Sequence, residues 1–255
     1  MLKMAQVGKD RQTEPLMSDL QTICQDLKKS LELKYDPVGV TLYREGEPLP
    51  ENLPFTQEKL KSYCQAVVLA GQGRTLLLAG EQLGCKLGTS VLGFEKEAEA
   101  FLDDGVLEKY GVGLFATEEA AAATIRRSFY LEQGQTRAAL MAPLSFFKAP
   151  PQVVVFTADS EQVMWLLYAL NYERGGRLNL PQSGGALGGC ADITALPLLE
   201  GVPNVTFLGL GCRLKAALDP CHLMLGVPGA MLKALHRHLQ AMAKPIAMLK
   251  SSRAR

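Results

Sequence analysis

Six cysteines are the residues in this chain with most chemistry to offer, and four of them sit in suggestive surroundings. Cys64 lies in KLKSYCQAVVLA, Cys85 in LGCKLG, Cys190 in GGCAD and Cys212 in LGLGCR. The last three fall in glycine-rich stretches, where the chain can bend to present a sulfur and bring amides close to it. Lys86 and Arg213 directly follow Cys85 and Cys212, and a cation beside a thiol favours the thiolate, the form that binds metal and attacks electrophiles. Four thiolates satisfy a tetrahedral zinc ion or a [4Fe–4S] cluster. No CxxC pair occurs, however, so a shared site requires the fold to gather distant segments. The alternative is that each cysteine is a small buried hydrophobe, which is the expectation for Cys24 on a helical apolar stripe.

Around these cysteines, Gly84, Gly88 and Gly189 are candidates to bring backbone amides against a ligand or cluster, or simply to permit tight turns. Arg74, Arg177 and Arg213 are candidate positive groups for an anionic or planar ligand. Other catalytic signatures are missing: the sequence holds no HExxH, GxSxG, P-loop or strand-linked GxGxxG. His222 adjoins Cys221 in a segment expected to be a strand, where neighbours point to opposite faces, so no nucleophile–base pair is expected there. His236 and His238, two apart on an expected helix, are read as surface residues, and Arg126 and Arg127 as a solvated helix face.

Composition narrows the partners. The 255 residues carry 27 Lys plus Arg against 26 Asp plus Glu, a formal net charge of +1, so no global field favours nucleic acid or an anionic membrane. Charges interrupt the first twenty residues, and nowhere does an apolar run approach the roughly 20 residues of a membrane span. A cytoplasmic protein with reduced thiols is the expectation. A redox partner protein or a small molecule is the expected partner, with homo-oligomerisation left open.

The elements that must position the cysteines form an α/β pattern, with α+β as the variant. Residues 1–32 are read as a tail and an amphipathic helix (Leu16, Leu20, Ile23, Cys24, Leu27, Leu31), 33–228 as a duplicated core, and 229–255 as a final helix with a basic end. The halves of the core are placed at about 33–94 and 147–228, joined by a helical connector over 95–146, whose second helix is capped by Thr117. LKYDPVGV matches FKAPPQVVVFT, and a helix over Phe55–Arg74, capped by Thr56, matches Asp159–Arg177. Arg74 precedes Cys85 by eleven positions and Arg177 precedes Cys190 by thirteen. Cys85 and Cys190 are therefore expected to be equivalent and to meet at a pseudo-twofold junction. NVTFLGLGCR and HLMLGVP are expected to be strands.

In DPVGVTLY, SYCQAVVLA, LGCKLGTSVLG, MAPLSFF, GGCADITALPLL and the GCR turn, taken in order from about Leu33 to Pro228, the chain resembles the prokaryotic family called domain of unknown function 169. That resemblance implies cysteines where Cys64, Cys85 and Cys190 stand. It also implies a setting in anaerobic bacteria and archaea, which suits an oxygen-sensitive cluster, and it brings no settled activity. The family tends to carry an acidic residue where this chain reads DPCHLMLGVP, so Cys221 or His222 replaces it. Three readings follow: an iron–sulfur electron-transfer protein on Cys64, Cys85, Cys190 and Cys212, an oxidoreductase component if it is part of an enzyme, with a structural zinc site as its colourless version; a binding module for a small anionic or planar cofactor; and a thiol enzyme using Cys85 or Cys190.

Overall fold

Every residue of Val153–Ala158 is buried, and because successive strand side chains point to opposite faces, this segment needs cover on both. The computed structural model, which describes residues 19–95, 114–183 and 186–253, supplies it. Six strands form one sheet: β1 (Val38–Arg44), β2 (Leu76–Leu78), β3 (Thr136–Pro143), β4 (Val153–Ala158), β5 (Asn204–Thr206) and β6 (Leu223–Pro228). Their order is β2-β3-β1-β4-β6-β5, and every ladder is antiparallel. Alternation divides the buried residues into two cores. Val40, Leu76, Met141, Val155 and Met224 face one side, while Leu77, Leu140, Phe156, Leu225 and Val227 face the other.

The helices divide in the same way. Helix α1 (Asp19–Leu31) buries Leu20, Ile23, Cys24, Leu27 and Leu31 in the second core. It lies there with α5 (Ser160–Leu170) and α8 (Leu232–Ala241). The first core is covered by α2 (Tyr63–Gly71), α3 (Lys86–Val91), α4 (Glu118–Arg126) and a π-helical segment, Gly188–Ala195. That segment runs on into α6 (Leu196–Glu200), and α7 (Leu210–Ala216) completes the layer. A last helix, α9 (Ala243–Arg253), follows α8. Pro245 cannot extend the preceding helix, because it lacks an N–H and crowds the turn before it, so the single expected C-terminal helix is two.

The strand order is symmetric about the central pair. β1 and β4 run antiparallel with Gly39 opposite Val154. On one side Val38 pairs with Pro143 and Leu77 with Leu140; on the other Val153 pairs with Pro228 and Val205 with Leu225. Leu140 stands three residues before Pro143, as Leu225 does before Pro228, and a short 3₁₀ turn follows each proline. Each half is therefore a long strand, a connection, a short edge strand and a return strand between them.

Several boundaries change. β3 falls inside the stretch expected to be a helical connector, because its apolar residues alternate between the two cores; only α4, capped by Thr117, keeps the expected form there, and the helix expected just after Glu95 lies outside the described residues. α2 begins at Tyr63 with Ser62 as its cap, not at Thr56, whose amide instead donates to the Leu77 carbonyl. NVTFLGLGCR is strand only over Asn204–Thr206; its glycine-led second part is α7. α5, although capped by Asp159 as a helix start should be, lies on the opposite face of the sheet from α2. The counterpart of α2, directly before the edge strand and on the same face, is the π segment with α6.

Glycine makes that layer possible. A Cβ on Gly226 would run into the Ile193 backbone carbonyl, and one on Gly188 into the Thr206 hydroxyl, so the π segment lies against β5 and β6 at distances only glycine permits. Replacing Gly226 by Ala is expected to destabilise the protein by about 1–3 kcal/mol, the usual cost of overpacking against atoms that cannot swing away. Urea unfolding of the variant beside the parent protein measures it.

Candidate cysteine-lined site

Cys64 stands in the first turn of α2, thirteen residues before Leu77, and Cys190 lies in the π segment, fifteen before Val205. Cys85 is the residue from which α3 starts, eight after Leu77, and Cys212 is in α7, seven after Val205. Leu77 and Val205 hold matching places in the two halves, so the equivalences are Cys64 with Cys190 and Cys85 with Cys212. The expected equivalence of Cys85 with Cys190, and that of Arg74 with Arg177, is thus corrected. The tetrapeptides Gly84–Leu87 (GCKL) and Gly211–Leu214 (GCRL) carried this signal in the sequence. Matching α5 to α2 hid it, because that pairing set Arg177 against Arg74 and so Cys190 against Cys85.

Packing then crosses the halves. α2 of the first half rests on α7 of the second, and α3 of the first rests on the π segment of the second. All four cysteines line one cavity of about 580 Å³ on this face of the sheet. Cys64 and Cys190 are buried at its base, with Cys85 and Cys212 partly exposed. Gly189 is the tightest contact: a Cβ there would strike Cys64 Sγ. Leu187 and Leu208 add apolar wall, Leu210 and Leu214 form a half-open rim, and Lys215 supplies a cation at the edge.

The sulfurs interact with one another. The Cys64 thiol donates to Cys212, whose sulfur also accepts from the Gly189 and Gly209 amides. Donation by Cys64 lowers the Cys212 thiol to about 7 against the opposing effect of burial, with those amides and Lys215 helping. Cys64 is pushed well up, first by giving its proton to that bond and then by burial. Cys190 is also pushed well up, by burial and by the charges of Cys85 and Cys212. It donates to the Leu187 carbonyl at 3.6 Å. The group of cysteines therefore contains one sulfur ready to be a thiolate at neutral pH and two that hold their protons there.

Hydrogen bonds among Tyr63, Thr194, Ser183, Asp192 and Asn204 fix the π segment. Tyr63, buried beside Cys64, meets Thr194 at 2.7 Å, and the Thr194 hydroxyl lies 3.0 Å from the Gly189 carbonyl. Asp192 accepts from the Ser183 hydroxyl at 2.9 Å, and Asn204 donates to the Asp192 carbonyl at 3.1 Å. Burial raises Asp192 to about 6 despite the Ser183 hydrogen bonds. None of Tyr63, Thr194, Asp192 or Lys215 was legible as a site residue: Tyr63 and Thr194 meet only across the halves, and Asp192 and Lys215 are placed by contacts within the second half that no local motif announces.

Gly88 lines the cavity, and Gly189 shapes it. Gly84 instead lets the chain pass the Leu60 carbonyl, to which its amide donates at 2.7 Å. Arg74 pairs with Glu58, and Arg177 is exposed in the loop after α5; neither lines the cavity. Arg213 points away and donates to the carbonyls of Phe207, Asp219, Pro220 and His222. His236 and His238 are not free surface residues: His236 meets Asp26 at 2.8 Å, and buried His238 bridges Ala169 and Glu173. Arg126 and Arg127 are exposed, as expected.

A family model described as the uncharacterised ArCR family, domain of unknown function 169, matches residues 26–238. The chain belongs to this family. One similar curated protein is the uncharacterized protein MJ0308 of Methanocaldococcus jannaschii, 29% identical over 219 residues that cover 84% of this chain and 92% of that protein. No solved structure matches the chain. The match to the domain of unknown function 169 model contains all four cavity cysteines and the whole sheet.

Two outcomes are expected. In metal-free protein, alkylation of Cys212 should rise with a midpoint near pH 7, the lowered thiol value; Cys64→Ala, which removes the donor, should move that midpoint upward, as read by peptide-resolved mass spectrometry. For Asp192 the folded-state value, about 6, lies above the ordinary 3.8, so its protonated form stabilises at low pH and that contribution is lost as pH rises through 6. Asp192→Asn should therefore melt higher than the parent protein at pH 8, with the difference shrinking toward pH 4, in paired thermal melts.

Proposed function

We propose that the four-cysteine cavity is the seat of an iron–sulfur cluster, with Cys64, Cys85, Cys190 and Cys212 as its ligands, and that the protein is a cytoplasmic redox or electron-transfer protein. The observation carrying this reading is that four cysteines from four separate segments, with no local pairing motif among them, line one cavity. The donor set fits. A single zinc ion at about 2.3 Å from each sulfur draws its ligands to within about 4 Å of one another. Among the described residues, no three of these cysteines bring their sulfurs that close together. A cubane spreads its ligands wider. This favours the cluster over the structural zinc alternative.

When bound, such a cluster supplies one-electron transfer. The chain's own residues do the rest. The Gly189 and Gly209 amides, which already donate to Cys212, drain charge from its sulfur and so favour the reduced state. Leu187 and Leu208 keep water from the base of the cavity, while Lys215 adds a positive field at its mouth. The half-open rim at Leu210 and Leu214 brings the site within reach of a redox partner protein or a small molecule. No helix among the described residues is long and apolar enough to cross a membrane.

A second reading, a small-molecule binding protein, draws support from the cavity's size and its apolar wall. Its proposed cations, Arg74 and Arg177, lie elsewhere, which favours an apolar or planar ligand over an anionic one. Anaerobic purification followed by iron and sulfide analysis separates the two. The cluster reading expects brown protein with a paramagnetic signal on reduction, and loss of most of its iron in both Cys85→Ser and Cys212→Ser, one variant from each half. Colourless, iron-free protein after anaerobic expression and reconstitution contradicts it.

A further inference from the structure

Outside the cavity, the turn between α7 and β6 places three unlike donor groups together. Asp219 offers a carboxylate, Cys221 a thiol and His222 an imidazole nitrogen, and one ligand atom from each lies within 4.8 Å of both others. We propose that this turn is a separate binding site for a single soft divalent cation of the zinc class, independent of the four-cysteine cavity. Sulfur, nitrogen and oxygen donors in this combination are those zinc takes, and three protein ligands with one open position is the arrangement of its reactive or exchangeable sites.

The turn is built to hold these groups. The expectation of a strand here, with Cys221 and His222 on opposite faces, is overturned: β6 starts only at Leu223, and Cys221 Sγ lies 4.0 Å from His222 Nδ1. The Cys221 amide donates to Asp219 Oδ1 at 3.1 Å, which turns the carboxylate toward the thiol. The His222 amide closes the turn on the Asp219 carbonyl at 3.0 Å. Arg213 staples it from below through the carbonyls of Asp219, Pro220 and His222. Buried His222 is held edge-on by the Tyr35 ring, 5.5 Å between centroids.

Asp219 and Cys221 are exposed while the imidazole beside them is buried, so an ion would sit against the protein with one side open to water. Asp159 adds negative charge near Cys221, and Lys34 is the cation whose field reaches Asp219. The ligands span only four residues of one turn, and Arg213 directly follows Cys212. An ion here would therefore stiffen the segment that carries a cavity cysteine.

Zinc protection of Cys221 tests this in the intact protein. Iodoacetamide labelling with and without several equivalents of Zn²⁺, enough to saturate the cavity cysteines as well, is expected to slow at least about tenfold at the Cys221 peptide when zinc is bound, since the metal-bound sulfur is a weaker nucleophile than the free thiolate. Asp219→Asn, an exposed change that leaves the core untouched, should weaken the protection, and His222→Ala should abolish it. Equal labelling rates with and without zinc in the parent protein overturn the proposal. Because the readout is confined to one peptide, it stands apart from whatever the cavity cysteines bind.

Discussion

The antiparallel pairing of β1 with β4 about Gly39 and Val154 is the constraint from which the rest follows. It places two like halves side by side in one continuous sheet and sends their edge strands to opposite ends. Each half then has to cover the same face of the sheet with the elements flanking its edge strand. Because the halves are related by a near-twofold at the centre, those elements meet across the junction. α2 reaches α7 and α3 reaches the π segment, so the cavity belongs to neither half alone.

That geometry explains the uneven chemistry of four similar sulfurs. Cys64 and Cys212 come from different halves and share one proton bridge, so one gains thiolate character while the other holds its proton more tightly. Cys190 sits in a helix wound too loosely for the α form, with Gly189 passing directly over Cys64. A long π segment is rare and is common at functional sites. Here Gly188, Gly189 and Gly226 let it approach β5, α2 and β6 more closely than any residue with a Cβ would allow.

Much of this was legible from residue types and spacing. The amphipathic α1, the buried β1 and β4 and the Thr117 cap all follow from periodicity and from local turn chemistry. The equivalence of the halves was misread because α5 has a strong capping box and an apolar face, which made it the natural match for α2, although sheet topology puts it on the far side. β3 was missed since Ala138, Ala139 and Ala142 have little strand propensity of their own and become strand only by pairing with β1 and β2. The Cys221–His222 contact was hidden by the assumption of regular strand geometry two residues before it begins.

The central claim is that both halves deliver two sulfurs each to one metal-bearing centre on the pseudo-twofold. Anomalous diffraction at the iron edge, from crystals grown and frozen without oxygen, tests this most directly. A strong peak enclosed by Cys64, Cys85, Cys190 and Cys212 is the predicted result. An iron-replete crystal with its anomalous density elsewhere, or protein that takes up no iron under those conditions, would contradict the account.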